Sequence, residues 1–188
     1  MPLVTLKPIL YGLPIARTLS PILTSELFPI STGSKSKSTS ILITDISERS
    51  GPEELRLENT TFTKVSIFMN VFNCHVNRTP SSGKVEEIYY KPGKFLNASL
   101  DKASEENERN FYKIKSNNNN EEIIIVQIAG LIARRIVCEA EQGQELKQGD
   151  RIGMIRFGSR VDLYFKNKKV LVKLGQNVVA GESLIATE

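Results

Sequence analysis

The chain has 188 residues, 24% of them charged and 40% hydrophobic, with a formal net charge of +4. That size suits one domain with a real core, and so mild a charge, without tryptophan or an RNA-binding signature, argues against a nucleic-acid partner. One histidine, His75, and two separated cysteines, Cys74 and Cys138, argue against a disulfide framework and against a metal site, and both cysteines are expected to be reduced and buried.

Residues 1–60 read as a divergent, partly flexible N-terminal segment. Met1 to Pro29 is apolar, but Pro2, Pro8, Pro14, Pro21 and Pro29 forbid a long uninterrupted helix. Ser31 to Ser40 is low in complexity and reads as a linker. Glu26 is the only acid of the first 40 residues, a composition that also fits a transit peptide, although the prolines oppose a regular amphipathic helix. These 60 residues balance at six basic and six acidic, so the positive excess lies in 61–188.

From Thr61 the pattern is that of a β protein. Lys64 to Met69 and Asn70 to Asn77 carry the β-branched and aromatic enrichment of strands, placing His75 within a strand-like run. Pro80 to Gly83 is a turn, Lys84 to Tyr90 a strand and Lys91 to Lys94 another turn. Leu100 to Asn110 is rich in helix formers, and Asn117 to Asn120 is a polar loop tip. Glu122 to Ala129 is a strong strand, and the run Leu131 to Val137 is expected to continue that sheet after Gly130. The apolar stretch Ile123 to Ala133, broken by Gln127, is far short of the ~20 residues that span a bilayer. The expected class is mainly β (a β-rich α+β fold), with one or two short helices.

The C-terminal part contains a repeat. Gly143-Gln144-Glu145-Leu146-Lys147-Gln148-Gly149-Asp150-Arg151-Ile152 matches Gly175-Gln176-Asn177-Val178-Val179-Ala180-Gly181-Glu182-Ser183-Leu184. Two glycines six apart around a short apolar element suit a strand between tight turns. The same grammar occurs in barrel-sandwich modules that carry lipoyl or biotinyl groups on a lysine. It suggests a barrel-sandwich-like core and, as a rival function, a carrier or interaction module, with Lys147 and Lys168-Lys169 in turns.

Ile155-Arg156-Phe157-Gly158-Ser159-Arg160 places a Gly-Ser pair between two alternating apolar segments, Arg151 to Phe157 and Val161 to Phe165. Taken with VSIFMNVFNCHVNRTPSSGKV (65–85), YYKPGKFLNASLDKASEENERN (89–110), VQIAGLIARRIVC (126–138) and GDRIGMIRFGSRVDLYF (149–165), it resembles phosphatidylserine decarboxylase, short bacterial type. Four blocks in order, over residues 61–188, are specific in a way that a Gly-Ser dipeptide is not.

The resemblance implies a proenzyme that cuts itself at Gly158-Ser159. The Ser159 hydroxyl would attack the Gly158 carbonyl, with His75 as base, and the peptide would become an ester. Elimination would release a β chain of residues 1–158 and leave an α chain, 159–188, headed by a covalent pyruvoyl cofactor derived from Ser159. That group would act as an electron sink while phosphatidylserine loses carbon dioxide to give phosphatidylethanolamine. Catalytic roles fall to Ser159 and His75, and candidate substrate contacts are Asn77, Arg78, Arg134 and Arg135. The implied setting is the cytoplasmic face of a bacterial membrane, as a peripheral protein on an anionic surface. The cleaved chains would stay associated, and the unit could form a homodimer. Family members also carry an Ala-Asp-Gly motif whose Asp completes a His-Asp-Ser group. Counted back without gaps that position is Ser40, and the nearest acid is Asp45. An uncleaved, non-catalytic relative is therefore the second reading.

Overall fold

The computed structural model describes residues 10–11, 40–98, 103–118, 120–132, 135–156 and 158–187. The linker expected at Ser31 to Ser40 lies, but for its last residue, outside them. Fourteen strands dominate the described chain: β1 (Leu10–Tyr11), β2 (Ser40–Ser50), β3 (Thr61–Met69), β4 (Val76–Arg78), β5 (Gly83–Lys91), β6 (Arg109–Ser116) and β7 (Glu122–Ile128), followed by β8 (Ile136–Cys138), β9 (Glu145–Leu146), β10 (Arg151–Ile155), β11 (Ser159–Phe165), β12 (Lys169–Val170), β13 (Asn177–Val179) and β14 (Ala186–Thr187). One four-residue helix, α1 (Ala103–Glu106), and a 3-10 turn at Glu53–Leu55 complete the elements. The β-rich class is borne out.

Eight strands form one curled antiparallel sheet in the order β13-β2-β3-β11-β7-β6-β5-β9, and four form a smaller one, β1-β4-β10-β8. Alternation along β11 explains why both faces of the large sheet are buried. Val161, Leu163 and Phe165 enter the main core with Ile67, Ile125, Tyr112 and, from the small sheet, Ile152 and Ile155. Tyr164 points the other way, towards Leu55, Phe62, Phe111 and Val126. β11 therefore lies between two apolar layers, and residues of like parity to Val161 face the interior between the sheets.

The sequence repeat has a structural meaning. Its strands, β9 and β13, close the two opposite edges of the large sheet. Gly143 N–H donates to Val85 O (2.7 Å) and Val85 N–H to Gln144 O (2.9 Å); Gly175 N–H donates to Ile43 O (2.9 Å) and Ile43 N–H to Gln176 O (3.0 Å). β2 and β5 each bulge just past those residues, between Ile43 and Asp45 and between Val85 and Glu87. The Gln side chains repeat their roles too: Gln144 accepts from Glu141 N–H and Gln176 from Lys173 N–H. The large sheet thus has a pseudo-twofold axis through the β11–β7 pair. Gly143, Gly149, Gly175 and Gly181 all have positive φ (87°, 90°, 76° and 76°), where a side chain is strained.

Several expectations are corrected. Residues 70–75 form a turn rather than strand, so His75 stands just ahead of β4. The run after Gly130 does not continue β7: Leu131 and Ile132 are exposed, and β8 joins the other sheet. The helix expected over Leu100 to Asn110 is only α1 among the described residues, because Arg109 onward is claimed by cross-strand pairing with β5 and β7. Cys74 and Cys138 form no disulfide, but Cys74 is half-buried and Cys138 exposed.

Candidate active site

The chain crosses from the small sheet to the large one between β10 and β11, and the Gly158-Ser159 pair is that crossing. Gly158 has φ +62°, a turn geometry that glycine adopts without strain. Ser159 opens β11 opposite Met69 of β3. It shares parity with Val161 and so faces the interior. The residue is fully buried, and its Oγ has no hydrogen-bond partner among the described residues. A buried hydroxyl without a partner is costly, by about 1–3 kcal/mol, unless a reaction or a ligand uses it.

His75 reaches the same crossing from the 70–75 turn. Asn70 N–H and Phe72 N–H close this turn on the side-chain oxygens of Asn73 and Asn70 (2.8 and 2.9 Å), and Asn73 Nδ2 donates to Ser40 O on β2 (2.7 Å). So braced, Asn73 presents its carbonyl to His75 Nδ1 at 2.7 Å. Gly158 N–H points at His75 Nε2 at 2.9 Å. A carbonyl only accepts and an amide N–H only donates, so the imidazole is the neutral Nδ1–H tautomer with its lone pair on Nε2. Burial holds the His75 pKa below its ordinary value, against the opposing pull of the Asn73 carbonyl. The ring is kept as a free base one residue from the unpartnered Ser159 hydroxyl.

Gly130 completes the crossing. A Cβ there would lie 1.9 Å from Gly158 O, and 3.3 Å from Ala98 Cβ. Val71 of the 70–75 turn borders Gly158 from another side, its Cγ1 at 3.5 Å from where a Gly158 Cβ would be. Sequence reasoning missed Asn73 and Gly130. The available signals were the two asparagines of an Asx-type turn and a glycine at the end of an apolar strand.

The remaining candidates fall elsewhere. Asn77 is wholly buried, its Oδ1 accepting from Gln127 Nε2 (2.6 Å), and Gln127 in turn accepts from Asn110. Arg78, at the far end of β4, donates to Gly149 O (2.7 Å). Arg135 is exposed, and its carbonyl accepts from Arg156 N–H (3.2 Å), one residue past β10 on the way to Gly158. Arg134 lies outside the described residues. Asp45 makes no hydrogen bond to His75: it pairs with Lys64 at 3.0 Å. Ser40, by contrast, is joined to the histidine through one residue, Asn73. Of the lysines weighed for a carrier, Lys168 has its side chain buried against Glu121 (3.1 Å) rather than on display.

Behind the crossing, on the opposite face of β11, runs a line of charge: Arg160 Nε to Asp162 Oδ1 at 2.9 Å, then Lys64 at 3.8 Å from Asp162. It borders a cleft of about 750 Å³ that also includes Glu54, Lys91, Arg109 and Tyr164 but neither His75 nor Ser159. This cleft and the catalytic-type groups are thus on different faces of the sheet. Among the described residues no three His, Cys, Asp or Glu side chains cluster as a metal site would need.

A family model for phosphatidylserine decarboxylase matches residues 31–186. The chain belongs to the phosphatidylserine decarboxylase family. It is 70% identical over 141 residues to a phosphatidylserine decarboxylase proenzyme of Pelagibacter ubique, covering 75% of this chain and 65% of that one. It is also 52% identical over 146 residues to the proenzymes of Rickettsia akari and Rickettsia felis, covering 77% of this chain and 63% of each. The chain therefore spans a little under two thirds of the length of these relatives. The family match also starts 30 residues upstream of the expected boundary at 61. It takes in β2 and Ser40, which correct the reading of residues 1–60 as standing wholly apart from the family.

Proposed function

We propose that the protein is a self-cleaving proenzyme that becomes a pyruvoyl-dependent phosphatidylserine decarboxylase. The observation that carries this is the neutral imidazole of His75 held on Gly158 N–H, beside a buried Ser159 hydroxyl with no partner. Exchanging Gly158 N–H for the hydroxyl places Nε2 to take the Ser159 proton as Oγ bonds to the Gly158 carbonyl carbon. The carbon–nitrogen bond then breaks, the Ser159 nitrogen recovers a proton, and an ester joins Gly158 to Oγ. Removal of the Ser159 α-proton expels the Gly158 carboxylate, which ends the 1–158 chain. The dehydroalanine left at 159 is hydrolysed by water to the pyruvoyl group with release of ammonia. When formed, the pyruvoyl group supplies the ketone that accepts the substrate amine and the electron pair left by carbon dioxide.

Two further features favour this reading. The short chain would keep β11 paired with β3 and β7, and β13 paired with β2, so the cleaved chains stay bound by backbone ladders. The same neutral His75 is suited to hold or deliver a proton near the decarboxylation centre. The proposed substrate is phosphatidylserine in an anionic bilayer, met at the cytoplasmic face of a bacterial membrane by a peripheral protein. Association of two such units is part of the proposal.

A second reading is favoured by one observation: Asn73 offers His75 a carbonyl dipole where a carboxylate would stabilise the imidazolium far more. This predicts slow or absent self-cleavage. The test is the intact mass of the denatured protein, followed over time. Two chains broken at Gly158-Ser159, the shorter one blocked by pyruvoyl, with carbon dioxide released from phosphatidylserine, are the expected result. A single unbroken chain after prolonged incubation would refute it in favour of the uncleaved relative. The variant Ser159→Ala should remain one chain and lose no stability, because it deletes an unpartnered buried hydroxyl. A drop in its unfolding free energy of more than about 1 kcal/mol would mean that Oγ has a structural partner after all.

A further inference from the structure

We propose that the two turns beside the Gly158 crossing, Asn70 to Asn73 and Gly130 to Ile132, form an apolar claw that enters an anionic bilayer, bringing the mouth of the site to the lipid. Val71 and Gly130 both border Gly158, and their chain neighbours project outward. Phe72 is 81% exposed, Leu131 60% and Ile132 62%. They are three of the eight large exposed hydrophobics among the described residues, and each lies within two positions of Val71 or Gly130, which border Gly158. The Phe72 turn is braced by three Asn-centred hydrogen bonds, so this ring is presented on a rigid support.

Charge identifies the occupant. The segments that lead to Gly158 or to its neighbours Val71 and Gly130, namely 70–78, 128–138 and 151–158, hold in sequence five arginines and no carboxylate, although Glu108 Oε1 accepts from Ile136 N–H (3.3 Å). Without them the chain has 20 basic and 21 acidic residues. Arg78 and Arg151 sit opposite each other at the ends of β4 and β10 remote from Gly158. Arg151 is paired with Glu139 (2.8 Å), while Arg135 and Arg156 stand exposed beside the crossing. Large exposed apolar tips beside two exposed arginines are complementary to acyl chains under a layer of anionic head groups. A second copy of this chain would meet the same arginines with arginines, and like charges oppose that pairing. The inference rests on the lipid-directed reading above for its purpose, but on the patch itself for its physics.

The chain contains no tryptophan, so single insertions report position without background. Full-length Phe72→Trp and Ile132→Trp would be mixed with vesicles of phosphatidylcholine, with or without phosphatidylglycerol, an anionic lipid that is not the proposed substrate. Leu174→Trp, 68% exposed in the turn before β13, is the reference. Expected are blue-shifted emission and quenching by brominated acyl chains at 72 and 132 with anionic vesicles, weakened by salt, and none at 174. The double variant Phe72→Ser/Ile132→Ser should lower vesicle binding by at least about tenfold. Equal response at all three sites, no response at 72 and 132, or a lipid-independent blue shift that grows with protein concentration would overturn the claw. Intact mass on the same samples separates the two claims. Insertion of an unbroken chain would leave the claw standing and sink self-cleavage, and the converse result would do the opposite.

Discussion

Gly130→Ala is the sharpest test of the crossing. The added Cβ would stand 1.9 Å from Gly158 O and 3.0 Å from the Gly158 carbonyl carbon, both of them backbone atoms. Real Cβ contacts essentially never fall below 3.0 Å, so the Gly158 carbonyl must retreat by about 1 Å or β7 must give way. The retreat moves the carbon that Ser159 attacks. Misplacement of that order costs about 10²-fold in rate when two groups must meet in a fixed geometry. Gly130 is not in the left-handed region, so alanine adds no backbone strain of its own. The fold should therefore survive while cleavage slows about a hundredfold. The assay is the decay of unbroken chain by intact mass at fixed pH, with urea unfolding of the Ser159→Ala and Ser159→Ala/Gly130→Ala proteins as the fold control. Cleavage within about twofold of the parent rate would show that the close approach of Gly130 to Gly158 does not set the reacting geometry.

Two other predictions follow from single side chains. The folded-state pKa of His75 is lowered by burial below the ~6.5 of an unfolded imidazole, so the unfolded chain binds the extra proton first. The corresponding stability is complete above about pH 7 and is lost as pH falls through 6.5 towards the folded value. As the only histidine, His75 should account for the slope of urea midpoints between about pH 7.5 and 5.5, and His75→Asn should flatten it; an unchanged slope would place the ionisation elsewhere. Gly143→Ala and Gly175→Ala meet no atoms within 4 Å but force alanine to φ near +87° and +76°. Each should cost about 1–2 kcal/mol in urea unfolding and the pair should add, whereas unequal losses differing by more than about 1 kcal/mol would break the proposed equivalence of the sheet edges.

Most strands were legible because each carries its own signal. Enrichment in β-branched and aromatic residues marks Thr61–Met69, Gly83–Lys91 and Glu122–Ile128 regardless of what they pair with. Where local pattern and pairing disagreed, pairing won. Asn70 to Asn77 has strand-like residues, but two Asx bonds fold it into a turn that aims a carbonyl at His75. Leu131 and Ile132 read as a buried strand because hydrophobicity records what a residue would leave water for, not whether another layer covers it.

The sequence alone determined the β class, the Gly-Ser junction, the sole imidazole and the repeated Gly-Gln element. Each of these is a property of residue type and short-range spacing. Only the tertiary structure decided that the repeat closes opposite edges of one sheet and that the junction is the passage between two sheets. It alone put His75 on Gly158 through a bond across 83 positions of chain, with Gly130 pressed against the carbonyl. Hydrogen bonds and steric contacts of that kind depend on distances in space, which pairing of remote strands sets and local propensity does not.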